Sequence, residues 1–176
     1  MTENLPEHPV AASLAPDGDE YMLTMERELA HPVEKVWLAL TRADDVVHWA
    51  PYRPDRDLTD VGPVDLAHNA DAPDPHEPQS GRVLRVEAPH LLVVAWGDQE
   101  LTYRLSATAS GTLLHFTHRF DDRNTAPDYG AGWHLCWSAL PMLLAGSTPP
   151  PVHGDNAKLY GWDELRERYA TLLAAG

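Results

Sequence analysis

Cysteine and basic residues are the scarcest features of this sequence. Cys136 is the single cysteine among 176 residues, which excludes an internal disulfide and is typical of a protein in a reducing, cytoplasmic compartment. Lysine and arginine together number 13 against 27 aspartates and glutamates, so the formal net charge is −14. A charge of this sign repels nucleic acid phosphates and anionic lipid headgroups. We therefore expect neither a nucleic acid nor a membrane partner.

Long hydrophobic segments are also missing. No apolar run reaches the length of about 18 residues at which a membrane span becomes a candidate. Residues 1–20 contain no basic segment followed by an apolar one, so we expect no signal peptide. With 43% hydrophobic residues, the chain is nevertheless long enough to bury a core as one domain.

The motifs of common catalytic and metal sites are missing as well. The sequence has ten histidines but no H-E-x-x-H and no C-x-x-C. His115 and His118 are three residues apart in a strand pattern and face opposite ways, and His134 and Cys136 do not share a helix face. There is no G-x-S-x-G and no glycine-rich phosphate loop. We therefore predict no catalytic residue, no metal site and no cofactor.

The N-terminal third predicts a tail, a strand and two helices. Residues 1–18 contain three prolines and no aromatic residue, and we expect a flexible tail followed by one domain over 19–176. Residues 21–29, YMLTMEREL, alternate between two faces as a strand does. Residues 31–41, HPVEKVWLALT, start at a proline and carry an apolar stripe that includes Trp37, so they predict a buried helix. A second short helix follows it.

The remainder predicts a meander of strands and two further helices. Short turns between strands favour antiparallel pairing, and Pro141 should kink or divide the longer helix. The expected strands are 58–67 (interrupted at Gly62–Pro63), 82–88, 91–96, 100–107 and 112–120, with a polar loop over 69–81. The expected helices are 128–146, striped by Trp133, Cys136 and Trp137, and an appended amphipathic helix over 155–173.

This order of elements resembles the START-like (SRPBCC, helix-grip) superfamily, in its branch of activator of heat-shock protein ATPase homologue domains. The segments that carry the resemblance are RELAHPVEKVWLALTRADDVVHW (27–49), GRVLRVEAPHLLVVAW (81–96), GTLLHFTHRF (111–120) and GWHLCWSALPMLLAG (132–146). The resemblance implies an α+β fold in which a curved antiparallel sheet wraps around a long C-terminal helix, with two short helices after the first strand. It covers about residues 20–146, so the appended helix lies outside it.

The resemblance also implies a hydrophobic cavity between the sheet and the long helix. The residues expected to bind a ligand there are Trp49, Tyr52, Trp96, Tyr103, Phe116, His118, Trp133 and Trp137. The alternative interpretation is that these rings simply fill the core, with His118 a hydrogen-bonded core histidine.

Three functions remain open at this point. The leading hypothesis is non-enzymatic binding of a small hydrophobic or aromatic molecule. Since alanine, aspartate, proline and arginine are abundant, as in GC-rich bacterial genomes, the ligand could be a natural product that the protein sequesters in self-resistance. The alternatives are a polyketide aromatase/cyclase that uses a polar group in the cavity, and a chaperone ATPase co-factor that acts through its surface. The sequence leaves the ligand and the oligomeric state open.

Overall fold

The computed structural model describes residues 5–69 and 80–175, and in them eight strands form one sheet. The strands are β1 (Ala12–Asp17), β2 (Glu20–Leu29), β3 (Tyr52–Pro54), β4 (Gly62–His68), β5 (Ser80–Glu87), β6 (Leu91–Trp96), β7 (Gln99–Thr108) and β8 (Gly111–Phe120). Their order is β1-β2-β8-β7-β6-β5-β4-β3, and every neighbouring pair is antiparallel. The first long strand thus pairs with the last one.

The helices cover one side of this curled sheet. They are α1 (Val33–Thr41), α2 (Ala43–Val46), α3 (Ala126–Leu144) and α4 (Trp162–Ala174), with 3-10 segments at Arg123–Thr125 and Gly154–Tyr160. Helix α3 contacts α1 and β2, and α4 contacts both α3 and β1. The predicted helix-grip α+β fold, with a long helix held by the sheet and an extra C-terminal helix, is confirmed.

The predicted meander of strands β5 to β8 is confirmed with small changes at the ends. The strand expected over 58–67 begins instead at Gly62, where φ is +137°, a value that suits glycine alone. Strand β3 was not predicted, because three residues are too few to show an alternating pattern. Of the polar loop expected over 69–81, residues 70–79 lie outside the described residues, and Ser80 already belongs to β5.

The flexible tail predicted for residues 1–18 is wrong for its second half. Ala12–Asp17 form β1, which pairs with β2 through a two-residue turn in which Gly18 has φ +64°. Pro16 is tolerated because β1 is an edge strand, where a missing N–H need not break a ladder. Leu14 packs against the hydrophobic core. The Gly18–Asp19 dipeptide, which forms the turn, was the signal that could have revealed this hairpin.

The apolar stripe of helix α1 packs between α3 and the sheet. The helix begins at Val33, so Pro32 is its N-cap in extended conformation and not its first helical residue, and Glu34 lies in the first turn. Trp37 is 7% exposed, and α1 contacts β7 and β8 as well as α3. The predicted core role of Trp37 is thus confirmed. Replacing such a ring by alanine typically costs about 3–5 kcal/mol.

Helix α3 runs through Pro141 without dividing, and a side chain from the sheet compensates for the proline. In a regular α-helix the carbonyl of Trp137 accepts the N–H of residue 141, which proline lacks. Arg27 on β2 instead donates its Nε–H to that carbonyl at 3.2 Å. This contact ties the middle of α3 to the sheet.

Helix α4 lies very close to the N-terminal half of α3. A methyl group at Gly130 would meet the ring of Tyr169 at 2.8 Å, so glycine is required for this approach. The helix starts at Trp162 rather than near residue 155, because residues 154–160 are a 3-10 segment that ends at Gly161 with φ +83°. Segment 152–162 therefore lies against α3, beside the candidate site described below.

Truncation tests the corrected N-terminus. Removing residues 1–17 should lower the Tm by more than about 5 °C, since it removes the ladder to β2 and the packing of Leu14. The matched control removes residues 1–11 and keeps β1, so its Tm should fall less. An unchanged Tm after the longer truncation would show that β1 contributes nothing to stability.

A double-mutant cycle tests the contact between Arg27 and the proline-interrupted helix. Arg27→Met should lower the free energy of unfolding by about 1–3 kcal/mol, because the Trp137 carbonyl loses its donor. In the Pro141→Ala background the helix supplies that donor itself, so Arg27→Met should cost at least about 1 kcal/mol less. Urea unfolding of the four proteins measures the coupling, and strictly additive effects would contradict it.

Candidate functional site

A continuous stack of aromatic rings fills the space between α3 and the sheet. The indoles of Trp133 and Trp137 stack at 5.3 Å between ring centroids, and Trp49 stacks on Trp137 at 5.5 Å. From the sheet, Phe116 lies 4.4 Å from Trp133 and Tyr103 lies 5.1 Å from Phe116. Aromatic pairs in such arrangements contribute about 0.5–1.5 kcal/mol each beyond area burial. The five rings therefore form a rigid wall.

The polar atoms inside this wall are paired. The hydroxyls of Tyr52 and Tyr103 lie 2.7 Å apart, and burial raises the pKa of both phenols. Trp49 donates its Nε1–H to the carbonyl of Ala39 at 2.8 Å. These bonds hold the rings in one arrangement, since an unpaired buried polar atom would be costly.

A cavity of about 500 Å³ opens at the end of the stack. It lies between the sheet and the N-terminal half of α3, and segment 152–162 covers it. Its surface is mainly apolar. The lining residues are Pro51, His68, Asn69, Trp96, His118, Asp128, Tyr129, Gly132, Trp133, Cys136, Val152, His153, Gly154, Ala157, Lys158 and Trp162.

The structure divides the eight predicted ligand-binding residues into two groups. Trp96, His118 and Trp133 line the cavity, and their contact with a ligand stays a prediction. The other five are fully buried outside its lining, and for them the structure indicates core packing in place of ligand contact. They are Trp49, Tyr52, Tyr103, Phe116 and Trp137. The helical stripe was predicted correctly, but which of its rings face open space depends on how far the sheet curls.

Sequence reasoning missed the cavity residues at the start of α3. Tyr129 and Gly132 precede Trp133 and Cys136 at helical spacing, so extending the predicted stripe by one turn would have found them. Gly132 is informative, because a Cβ built there meets no heavy atom within 4 Å. The residues of segment 152–162 carried no sequence signal for this position.

His118 joins the aromatic wall to a polar edge of the cavity. Its Nδ1 accepts the indole N–H of Trp133 at 3.0 Å, and its Nε2 lies 2.6 Å from Oε1 of Gln99. Burial lowers the pKa of the imidazole to about 3, so it is neutral at physiological pH. The lone pair on its Nδ1 already accepts the indole N–H of Trp133. An acid–base role for His118 therefore receives no support from this geometry.

Further titratable side chains line the cavity, among them those of Cys136, Asp128 and Lys158. Burial raises the pKa of the Cys136 thiol, which keeps it protonated and unreactive. At the mouth, Asp128 is paired with Arg166 of α4, and Lys158 is exposed. Among residues 5–69 and 80–175, no three His, Cys, Asp or Glu side chains are grouped so that they could hold a metal ion. No helix within these ranges is long and apolar enough to cross a bilayer.

A curled antiparallel sheet that grips a long C-terminal helix, with a cavity between them, defines the START-like helix-grip superfamily. The sequence profile of the Activator of Hsp90 ATPase homolog 1-like protein family matches residues 30–145, and the chain belongs to this family. A search of the curated proteins finds no significant match.

Solved structures share this fold at low sequence identity. A conserved protein of unknown function from Enterococcus faecalis superimposes with a TM-score of 0.70 at 17% identity, covering 93% of this chain and 91% of its own. CalU16 from Micromonospora echinospora has a TM-score of 0.65 at 23% identity, with 92% and 95% covered. The AHSA1-like protein from Aeromonas hydrophila reaches 0.58 at 22% identity, with 71% and 94% covered. These similarities show the fold alone.

The buried, neutral His118 predicts a loss of stability in acid. An imidazole with a pKa of about 3 in the folded protein and about 6.5 in the unfolded chain gains a proton on unfolding between these values. Stability should therefore fall as the pH drops below about 6.5. From pH 7 to 5 this group alone removes about 2 kcal/mol.

The variant His118→Gln removes the titrating group and isolates its contribution. Its stability at pH 7 will be lower, because Trp133 changes its acceptor, so the quantity to compare is the change with pH. Urea unfolding at pH 7 and 5 should show a smaller acid loss in the variant. Equal losses in the two proteins would contradict a neutral buried imidazole.

Proposed function

We propose that this protein binds a small, planar, largely apolar molecule in the cavity between the sheet and the N-terminal half of α3. The observation that carries the proposal is the cavity itself, which is mainly apolar and is bounded by Trp96, Trp133 and Trp162. Its volume of about 500 Å³ lies within the range of about 300–1,000 Å³ that is usual for small-molecule sites.

The character of the wall supports a planar ligand. Trp133 is held from behind by Trp137 and from the side by Phe116, so its ring cannot rotate to fill the cavity without breaking the stack. Trp96 is held by a hydrogen bond from its Nε1 to the carbonyl of Leu66 at 3.0 Å. Fixed indoles present flat apolar surfaces on which an aromatic ligand can stack at little entropic cost.

The absence of a side chain at Gly132 also supports the proposal. Glycine inside a helix costs about 1 kcal/mol relative to alanine, yet neither a neighbouring side chain nor the backbone requires it here. Its missing side chain enlarges the cavity at the level of Trp133. A ligand-binding site gives a physical reason for glycine at position 132.

The finer biological role that we propose is sequestration of a natural product. The composition typical of a GC-rich bacterial genome supports it, and a biosynthetic gene cluster around the gene would be the matching genomic observation. Simple sequestration requires no reacting group, which agrees with the occupied lone pair of His118 and the protonated thiol of Cys136.

Titration with the neutral fluorophore N-phenyl-1-naphthylamine tests the binding site. We expect micromolar affinity, enhanced probe fluorescence and quenching of tryptophan emission, because the probe stacks on Trp133 and Trp96. In Gly132→Phe the new ring occupies the cavity, and the affinity should fall more than about tenfold.

The matched control is Gly132→Ala, which improves the helix but fills little of the cavity. Gly132→Ala should melt at or above the Tm of the natural protein, since its Cβ meets no heavy atom within 4 Å. Circular dichroism of Gly132→Phe checks that this variant remains folded. Undiminished binding by Gly132→Phe would place the probe elsewhere and contradict the proposal.

A further inference from the structure

We propose that the hydroxyl of Tyr129 is the specificity-determining donor of the cavity, and that the ligand presents a hydrogen-bond acceptor, such as a ketone or quinone oxygen, on its planar apolar body. This inference rests on the proposed function and adds the chemical class of the ligand. It follows from the directions of three linked hydrogen bonds.

The direction of the first hydrogen bond is set by the indole of Trp133, whose N–H can only donate. Trp133 gives its Nε1–H to Nδ1 of His118 at 3.0 Å, so Nδ1 carries no proton. A neutral imidazole then has its proton on Nε2. His118 therefore donates to Oε1 of Gln99, across 2.6 Å.

The direction of the next hydrogen bond follows from the side-chain amide of Gln99. Because Oε1 of Gln99 accepts from His118, its NH₂ group faces the other way and donates to the hydroxyl oxygen of Tyr129 at 2.8 Å. Tyr129 thus acts as an acceptor inside the protein. Its own hydrogen has no acceptor among residues 5–69 and 80–175, and Tyr129 lines the cavity.

The linked bonds also fix the position of Tyr129. Its ring lies 4.4 Å from that of His118 and 4.9 Å from that of Phe120, both from strand β8. Each bond in a chain of this kind polarises the next one, which strengthens the final O–H as a donor. A ligand that lacks an acceptor would bury this hydroxyl unpaired, and such mismatches are penalised more strongly than a change in apolar area.

Two probes of nearly equal shape test the inference. Fluorene is planar and has no acceptor, whereas 9-fluorenone has the same rings with one carbonyl oxygen. Isothermal titration of the natural protein should show tighter binding of 9-fluorenone, by roughly 3- to 10-fold. In Tyr129→Phe the ring remains but the donor is lost, so the two probes should bind with equal affinity.

A second variant reverses the bond between residue 99 and Tyr129 while keeping the tyrosine. Gln99→Glu offers a carboxylate that accepts from both His118 and Tyr129, which turns the tyrosine hydrogen away from the cavity. The preference for 9-fluorenone should disappear here too, although the tyrosine is intact. Fluorene should bind both variants at least as tightly as it binds the natural protein, because it no longer leaves the tyrosine hydrogen unpaired.

The outcomes separate this inference from the proposed function. Equal binding of both probes to the natural protein, abolished by Gly132→Phe, would overturn the role of Tyr129 and leave the cavity as a binding site. A 9-fluorenone preference that survives in Tyr129→Phe would overturn it as well. If neither probe binds in a Gly132-dependent manner, the proposed function fails and this inference fails with it.

Discussion

The stacking of Trp133 and Trp137 on the rings of the sheet is the interaction on which the rest of this structure depends. It fixes the distance between α3 and the sheet, because five interlocked rings cannot be compressed or separated without losing their contacts. It also decides where open space can exist. The five rings are buried between α3 and the sheet, and the cavity lies at the end of the stack, beside the first turns of α3.

A second constraint comes from the polar groups that this stack buries. Pro141 leaves a helix carbonyl without its regular donor, and Arg27 of the sheet supplies one. Trp133 needs an acceptor for its indole N–H, and Nδ1 of His118 supplies it. In both cases a requirement of the helix is met by the sheet. The same bonds that hold the fold together therefore orient the polar edge of the cavity.

Much of the fold could be predicted from the sequence, since its longer elements carry strong periodic patterns. The alternation in β2 and the stripes of α1 and α3 are local properties, readable within a window of about ten residues. Strands β1 and β3 escaped prediction for the opposite reason. The first is a short edge strand with a proline, and the second has only three residues, so both depend on a partner strand for their conformation.

The sequence by itself determined the fold class, the helix that carries the aromatic stripe and the lack of common catalytic motifs. Only the tertiary structure decided which rings line the cavity, because burial depends on the curl of the sheet and on segment 152–162, which no periodic pattern describes. The bonds from Trp133 through His118 and Gln99 to Tyr129 were equally inaccessible. They join residues from two strands and a helix, and their directions follow from geometry that no spacing along the chain encodes.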